Sequence, residues 1–296
     1  MGADGCGAVV SGPDVRPNLN AMRVIIDGRP VNEADARVSV FDWAVMRGFG
    51  VFEVIRSYGV APFRLGPHLD RLERSAAALA VGLPGRDDLI SWVTAVAENG
   101  EGQVRIVVTG GGRDPLFDAP SQTIVMWEPI PDIPSPLRVM PLEAPWHPGT
   151  ADGPLSGIKW LSYAPNMASA DMARRAGFHD ALLYSRDGFI LEGPTFGIAW
   201  LIGDVIETPG LDLGILASIT RSVLFEIGEH LGIEVREVSA PLERLLAADE
   251  VVGLSTVKEV IPIGVIGDRE VRTGPVAGRL RAEFLSIVAD ETGPSA

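Results

Sequence analysis

The chain has 296 residues, 46% of them apolar, and a formal net charge of −14 from 39 acidic and 25 basic side chains. That apolar share supports one large or two ordinary hydrophobic cores and excludes disorder of the chain as a whole, while the acidic balance leaves no basic footprint for a nucleic-acid partner. Of the 25 basic residues, 23 are arginine and only two, Lys159 and Lys258, are lysine.

Residues 1–20 read as a loose Gly-rich leader, without the basic region and apolar run of a secretory signal. The single Cys6 excludes an intramolecular disulfide. No apolar window is long enough for a membrane helix, so a soluble, cytoplasmic protein is expected, with no metal. Residues 22–31 predict a hairpin turning at Asp27 and Gly28, and residues 49–56 alternate like a strand. From Pro67 the spacing of Leu69, Leu72, Ala76, Leu79 and Ala80 predicts a helix, with a second over 87–98. Strands follow at 104–109 and 121–127. The next stretch, 128–136, holds four prolines in nine residues and reads as a stiff extended linker between two domains, 21–127 and 137–296. Beyond it the pattern predicts helices at 166–176, 218–231 and 276–288, and strands at 181–185, 197–202, 234–238, 250–254 and 261–266. Mixed strands and helices in two compartments indicate an α/β or α+β fold.

The two lysines carry the chemical question. Lys159 stands among Ile158, Trp160 and Leu161 just before a helix. An amine in apolar surroundings loses hydration in its charged form, so its pKa falls and it becomes a usable nucleophile or base, a role closed to guanidinium. The plainer alternative is a snorkelling surface lysine. Lys258 competes for the same chemistry, its alternative being an exposed loop charge. Ile219 and Thr220 open a helix whose free N–H groups and dipole favour a phosphate, although Ser218 and Thr220 could simply cap it. Ser255 and Thr256 could add hydroxyls to that anion. Glu192, ahead of Gly193 and Pro194, could face a ring nitrogen or be an exposed loop acid.

Taken in order, seven motifs define a resemblance: FGVFEVIR (49–56), HLDRL (68–72), KWLSYAPN (159–166), LEGPTFGI (191–198), GILASITR (214–221), AADEV (247–251) and LSTVKEV (254–260). Together they resemble the fold-type IV pyridoxal-phosphate enzymes, which include branched-chain and D-amino-acid aminotransferases, R-selective amine transaminases and aminodeoxychorismate lyase. The resemblance implies a small N-terminal α/β domain, a larger C-terminal pseudo-barrel domain and a homodimer. It also implies pyridoxal 5'-phosphate as cofactor, with a small amino acid or amine as donor and a 2-oxo acid as acceptor. Lys159 becomes the Schiff-base lysine that also moves the proton between substrate and cofactor. Arg71, Ile219, Thr220, Ser255 and Thr256 surround the cofactor phosphate, Glu192 holds the pyridine nitrogen, Tyr163 meets the ring hydroxyl and Leu216 packs on the ring face. On the substrate side, Phe52 replaces the tyrosine of D-amino-acid aminotransferases, and Arg105 and Arg113 are the carboxylate candidates. Aminodeoxychorismate lyases carry a threonine where Glu53 stands, which favours transamination over pyruvate release. Lys258 is left as an ordinary charge.

Overall fold

The computed structural model describes residues 23–112 and 119–293, so the leader and Arg113 lie outside the described residues. The first half contributes β1 (Val24–Ile26), β2 (Arg29–Pro30), α1 (Trp43–Arg47), β3 (Gly50–Tyr58), β4 (Ala61–Pro62), α2 (Leu65–Leu79), α3 (Arg86–Ala97), β5 (Gly102–Thr109) and β6 (Thr123–Glu128). Its strands form one antiparallel sheet in the order β2-β1-β6-β5-β3-β4. The inward phase of β3 and β5 (Val51, Ile55, Val104, Ile106, Val108) packs against Leu69, Leu72 and Ala76 of α2 and Leu89, Val93 and Val96 of α3. The helical spacing of those apolar residues is what turns one face of each helix onto the sheet.

After residues 129–136, which carry no helix or strand, come β7 (Leu137–Glu143), α4 (Ala164–Arg175), β8 (Asp180–Tyr184), β9 (Gly197–Ile202) and β10 (Val205–Pro209). They are followed by α5 (Ile219–Leu231), β11 (Glu234–Val238), α6 (Leu242–Leu246), β12 (Glu250–Ser255), β13 (Glu259–Ile266), β14 (Arg269–Glu270) and α7 (Pro275–Thr292). These strands build a second, mixed sheet in the order β11-β10-β9-β12-β13-β7-β8, with β14 paired to β13. It is covered on both faces. Along β9, Ile198 and Trp200 point into one core with Leu137, Val139 and Leu182, while Ala199 joins the other with Val223, Leu224 and Ile227 of α5 and Leu280 and Phe284 of α7. Period-two alternation divides the strand between two cores.

Strands β7 and β10 are absent from the sequence-based expectation. Proline cannot donate to a ladder, so Pro141 within β7 and Pro209 at the end of β10 argue against strands there. In addition, Glu207 puts an acid in the middle of β10. That acid is 2% exposed because it accepts from Trp200 Nε1 at 2.9 Å and from Arg244 Nε at 2.6 Å. Burial of the charge is paid for by partners from other elements, which the local pattern does not display.

The segment that carries Lys159, between β7 and α4, is tied to the first sheet. Phe52 N–H donates to the Lys159 carbonyl at 3.1 Å, and Leu161 N–H donates to the Gly50 carbonyl at 2.9 Å. Val51 and Trp160 form the antiparallel bridge between them. The segment around Lys159 is therefore docked on β3 of the first sheet. Gly50 permits that approach: a Cβ there would lie 2.4 Å from the Val108 carbonyl and 2.7 Å from Leu161 Cδ1.

Candidate active site

A cavity of about 400 Å³ opens between the sheets. It is lined by Phe52, Arg71, Arg105, Lys159, Tyr163, Glu192, Leu216, Ser255 and Thr256 from the expected set. Ile219 and Thr220 are buried behind Ser218, which lines the cavity as the N-cap of α5.

Cross-strand pairing with Phe52 places the Lys159 amine over that ring, 4.3 Å from its centroid. Burial pulls the amine down to about 8, with the Arg71 charge pushing the same way and Glu53 and Glu192 opposing. A substantial neutral fraction is thus available near physiological pH. Phe52 in turn meets the Tyr163 ring edge-on at 5.5 Å.

Arg71 lies on the buried face of α2 with His68 one turn earlier. Its Nε and Nη2 donate to Glu53 at 2.7 and 2.8 Å, and its Nη1 donates to the Ala217 carbonyl at 2.9 Å. The last bond brings the guanidinium to the beginning of α5. There the Ser218 hydroxyl caps Arg221 N–H, and the N–H groups of Ile219 and Thr220, in the first turn, have no intrahelical partners. Arginine offers five N–H donors, so two remain for an anion at the same place. Positive charge and outward N–H groups converge on one end of the cavity, which is where a phosphate fits.

Glu53 is the residue whose role the sequence reading missed. It is fully buried and does not line the cavity. Burial alone would push its carboxyl up, but Arg71 and a hydrogen bond to His68 Nδ1 at 2.9 Å hold it well below the usual carboxylate range. Since the carboxylate only accepts, His68 carries its proton on Nδ1. Glu53 therefore faces Arg71 and not the cavity. A carboxylate at an inward position of the β3 alternation was the available signal.

Glu192 lies opposite in the cavity wall, its Oε1 accepting from Leu216 N–H at 3.1 Å. Burial pushes its carboxyl up to about 7, while the Leu216 amide and the charges of Lys159 and Arg71 pull the other way. The same bond fixes the backbone of Leu216, whose side chain also lines the cavity. The Tyr163 hydroxyl donates to the Pro194 carbonyl, and burial, followed by the Glu192 charge, raises its pKa. Ser255 is occupied locally, accepting from Lys258 N–H at 2.9 Å. Arg105 lines the cavity with its charge matched by Glu128 at 2.9 Å. Lys258 departs from the exposed charge expected of it: its side chain is 18% exposed and forms part of the cavity wall. Among the described residues no group of His, Cys, Asp and Glu could hold a metal ion.

The donor set fits a phosphorylated pyridine aldehyde. An amine of lowered pKa, an anion cradle of Arg71 and the α5 N-terminus, and a half-buried carboxylate all face one volume. Residues 50–266 match the model of the class IV aminotransferases, and the chain belongs to that family. It is a pyridoxal-phosphate-dependent aminotransferase of this class. A putative branched-chain-amino-acid aminotransferase of Methanocaldococcus jannaschii is 31% identical over 279 residues, 90% of this chain and 96% of the relative. The aminodeoxychorismate lyase of Bacillus subtilis is 29% identical over 86% of this chain and 89% of its own. Among solved structures, a fold IV transaminase from Curtobacterium pusillum superposes with a TM-score of 0.81 at 29% identity, covering 88% of this chain and 92% of the other.

Proposed function

We propose that this chain transfers an amino group between a small amino acid or amine and a 2-oxo acid, with Lys159 as the catalytic amine. The observation that carries this reading is the Lys159 amine, lowered to about 8, facing the same cavity as Glu192 and the Arg71–α5 anion cradle. Pyridoxal phosphate supplies, when bound, the aldehyde that captures amines and the ring that accepts the electrons released at the substrate's Cα.

The side chains divide the remaining work. Arg71, with the Ile219 and Thr220 amides and the Thr256 hydroxyl, binds the phosphate, and Glu53 keeps Arg71 in place. Glu192 orients the ring through its nitrogen; a proton shared there satisfies a carboxyl that burial has already made more basic. Leu216 and Phe52 bound the reacting volume and exclude water. Lys159, neutral in part near pH 7, takes the proton from the substrate's Cα and later returns one. Arg105 binds the carboxylate beside the reacting carbon, and Arg113 is a second candidate from outside the described residues.

We read the two sheets as two domains joined through 128–136, and the protein as a cytoplasmic homodimer. No helix among the described residues is long and apolar enough to cross a membrane. Val40, Phe41, Val45 and Met46, in and just before α1, are exposed, as is Met167, which also lines the cavity. Ser162 Oγ ties the α1 end to the cavity side by donating to the Gly48 carbonyl at 2.9 Å. This apolar surface beside the cavity supports a partner subunit closing the site.

Borohydride reduction of the holoenzyme followed by peptide mapping tests the assignment. The label is expected on Lys159, and Lys159→Ala should abolish turnover; a label on Lys258 or an active alanine variant refutes it. The second reading, pyruvate release from aminodeoxychorismate, is favoured by the similarity to the Bacillus subtilis lyase. Pyruvate formed without an amino acceptor would select it.

A further inference from the structure

The turn between β12 and β13 brings Ser255, Thr256, Val257 and Lys258 into the wall of the active-site cavity. What holds that turn lies outside the cavity. Ser255 pairs with Glu259 across its base. Glu259, where the chain leaves the turn, has a φ of +56°. That is the left-handed region, which glycine enters freely and L side chains disfavour. Of the four non-glycine residues with positive φ among the described residues, Glu259 alone is buried. A side chain held at such a position against local preference points to a task for it.

The Glu259 carboxylate collects groups from two other elements. Its Oε1 accepts from the Tyr58 hydroxyl at 3.1 Å and lies 3.2 Å from Arg56 Nη1, both residues of β3. Its Oε2 accepts from Arg281 Nη2 of α7 at 2.8 Å. Arg56 Nη1 also donates to the Val257 carbonyl at 2.7 Å, inside the turn itself. The Arg56 guanidinium lies over the Tyr58 ring, 4.8 Å from its centroid. Burial, followed by the Glu259 charge, raises the pKa of Tyr58, so its hydroxyl stays a donor. The turn is thus gripped at one carbonyl and at its exit. Period-two alternation puts Phe52, Val54, Arg56 and Tyr58 on one face of β3. Phe52 and Val54 line the cavity, while Arg56 and Tyr58 hold the turn. The strand that docks the Lys159 segment through Gly50 and Phe52 therefore also fixes the turn that carries Thr256.

We propose that Glu259 is a positioning residue which, with Arg56 and Tyr58, sets the β12–β13 turn so that the Thr256 hydroxyl meets the cofactor phosphate. This rests on the transaminase reading above and adds a residue that does not line the cavity. Glu259 acts through the turn and performs no bond chemistry.

The test is the affinity of the full-length apoenzyme for pyridoxal phosphate, titrated by absorbance, beside urea unfolding of each variant. Glu259→Gln keeps the side-chain volume and removes the charge. Glu259→Gly removes the anchor and relieves the left-handed backbone. Tyr58→Phe withdraws one donor while keeping the ring in the core, and it decides the matter alone if the Glu259 variants do not fold. We expect the Kd to rise about tenfold or more in both Glu259 variants, as for one hydrogen bond lost to a charged group, and to rise less in Tyr58→Phe. In a Thr256→Val background, Glu259→Gln should change the Kd by less than about twofold, because the hydroxyl it positions is gone. A role in folding alone would lower the urea midpoint and leave the Kd of the folded variants at the wild-type value. That result, or an equal rise with and without the Thr256 hydroxyl, overturns the proposal. A wild type whose Lys159 is not labelled by reduction refutes the transaminase reading and this inference with it; a labelled wild type whose variants bind as it does refutes the inference alone.

Discussion

Replacing Glu53 by glutamine keeps the shape of the side chain and removes the charge that faces Arg71. Glu53 is 0% exposed and Arg71 4% exposed, and two hydrogen bonds of 2.7 and 2.8 Å join them. Removing one member of such a pair leaves the other charged and buried, a loss of about 3–5 kcal/mol. At roughly 2–4 °C per kcal/mol for a chain of this size class, the apoenzyme should melt roughly 6–20 °C lower. The assay is urea unfolding of the apoenzyme at pH 7, with reconstitution by pyridoxal phosphate followed in parallel. Cofactor affinity should fall too, since Glu53 holds the guanidinium that meets the phosphate. The double variant Glu53→Gln with Arg71→Met should lose less than the sum of the single variants, because no buried charge is then orphaned. Depressed below the ordinary carboxylate range, the Glu53 contribution is present above the unfolded-state pKa and is lost only as pH falls through the folded value, so the difference between wild type and Glu53→Gln should persist at pH 5. A loss below about 1 kcal/mol, or strictly additive single variants, would refute the claim that the pair anchors the phosphate site.

Three further outcomes follow from the same geometry. Pyridoxal phosphate should be captured by the apoenzyme faster as pH rises, with a midpoint near the Lys159 value of about 8; an ordinary lysine profile centred above 10 would contradict the half-buried, desolvated amine. Because the folded-state pKa of Glu192 is raised to about 7, its ionisation weakens the apoprotein as pH rises from the unfolded carboxylate value through 7. Glu192→Gln should therefore raise the apoenzyme melting temperature at pH 8 but not at pH 4, while impairing turnover; an equal effect at both pH values would disprove the assignment. At Gly193 a Cβ would lie 2.1 Å from the Phe196 ring. Gly193→Ala should cost about 1–3 kcal/mol in melting experiments through overpacking and lower kcat/KM by shifting that ring; a variant matching wild type in both would show that the wall is soft.

Much of the fold was legible in local pattern. The helices over 218–231 and 276–288 and the strands over 197–202 and 250–254 match α5, α7, β9 and β12 to within a few residues, because their apolar spacing is strong. Strands β7 and β10 escaped notice because their prolines and Glu207 contradict local preference, and both are rescued by neighbouring strands and partners. The candidate site was readable as a set: nine of the expected residues line one cavity. Their partners were not readable. Glu53 looked like a family marker until it proved to be the buried counter-charge of Arg71, and Lys258 looked like a loop charge until it proved to be part of the wall.

By itself, the sequence determined the elements, the order of the motifs and the scarcity of lysine that singled out two amines. Such information is carried by propensity and periodicity, which act over a few residues along the chain. Only the tertiary structure decided what each amine faces. Lys159 acquires its lowered pKa because a segment more than a hundred residues from β3 pairs with that strand and carries the amine over Phe52. Lys258 is drawn into the cavity wall because Thr195, Asp180 and Phe196 are brought around it from other elements. Burial and Coulomb interactions depend on distance in space, and the fold alone sets those distances.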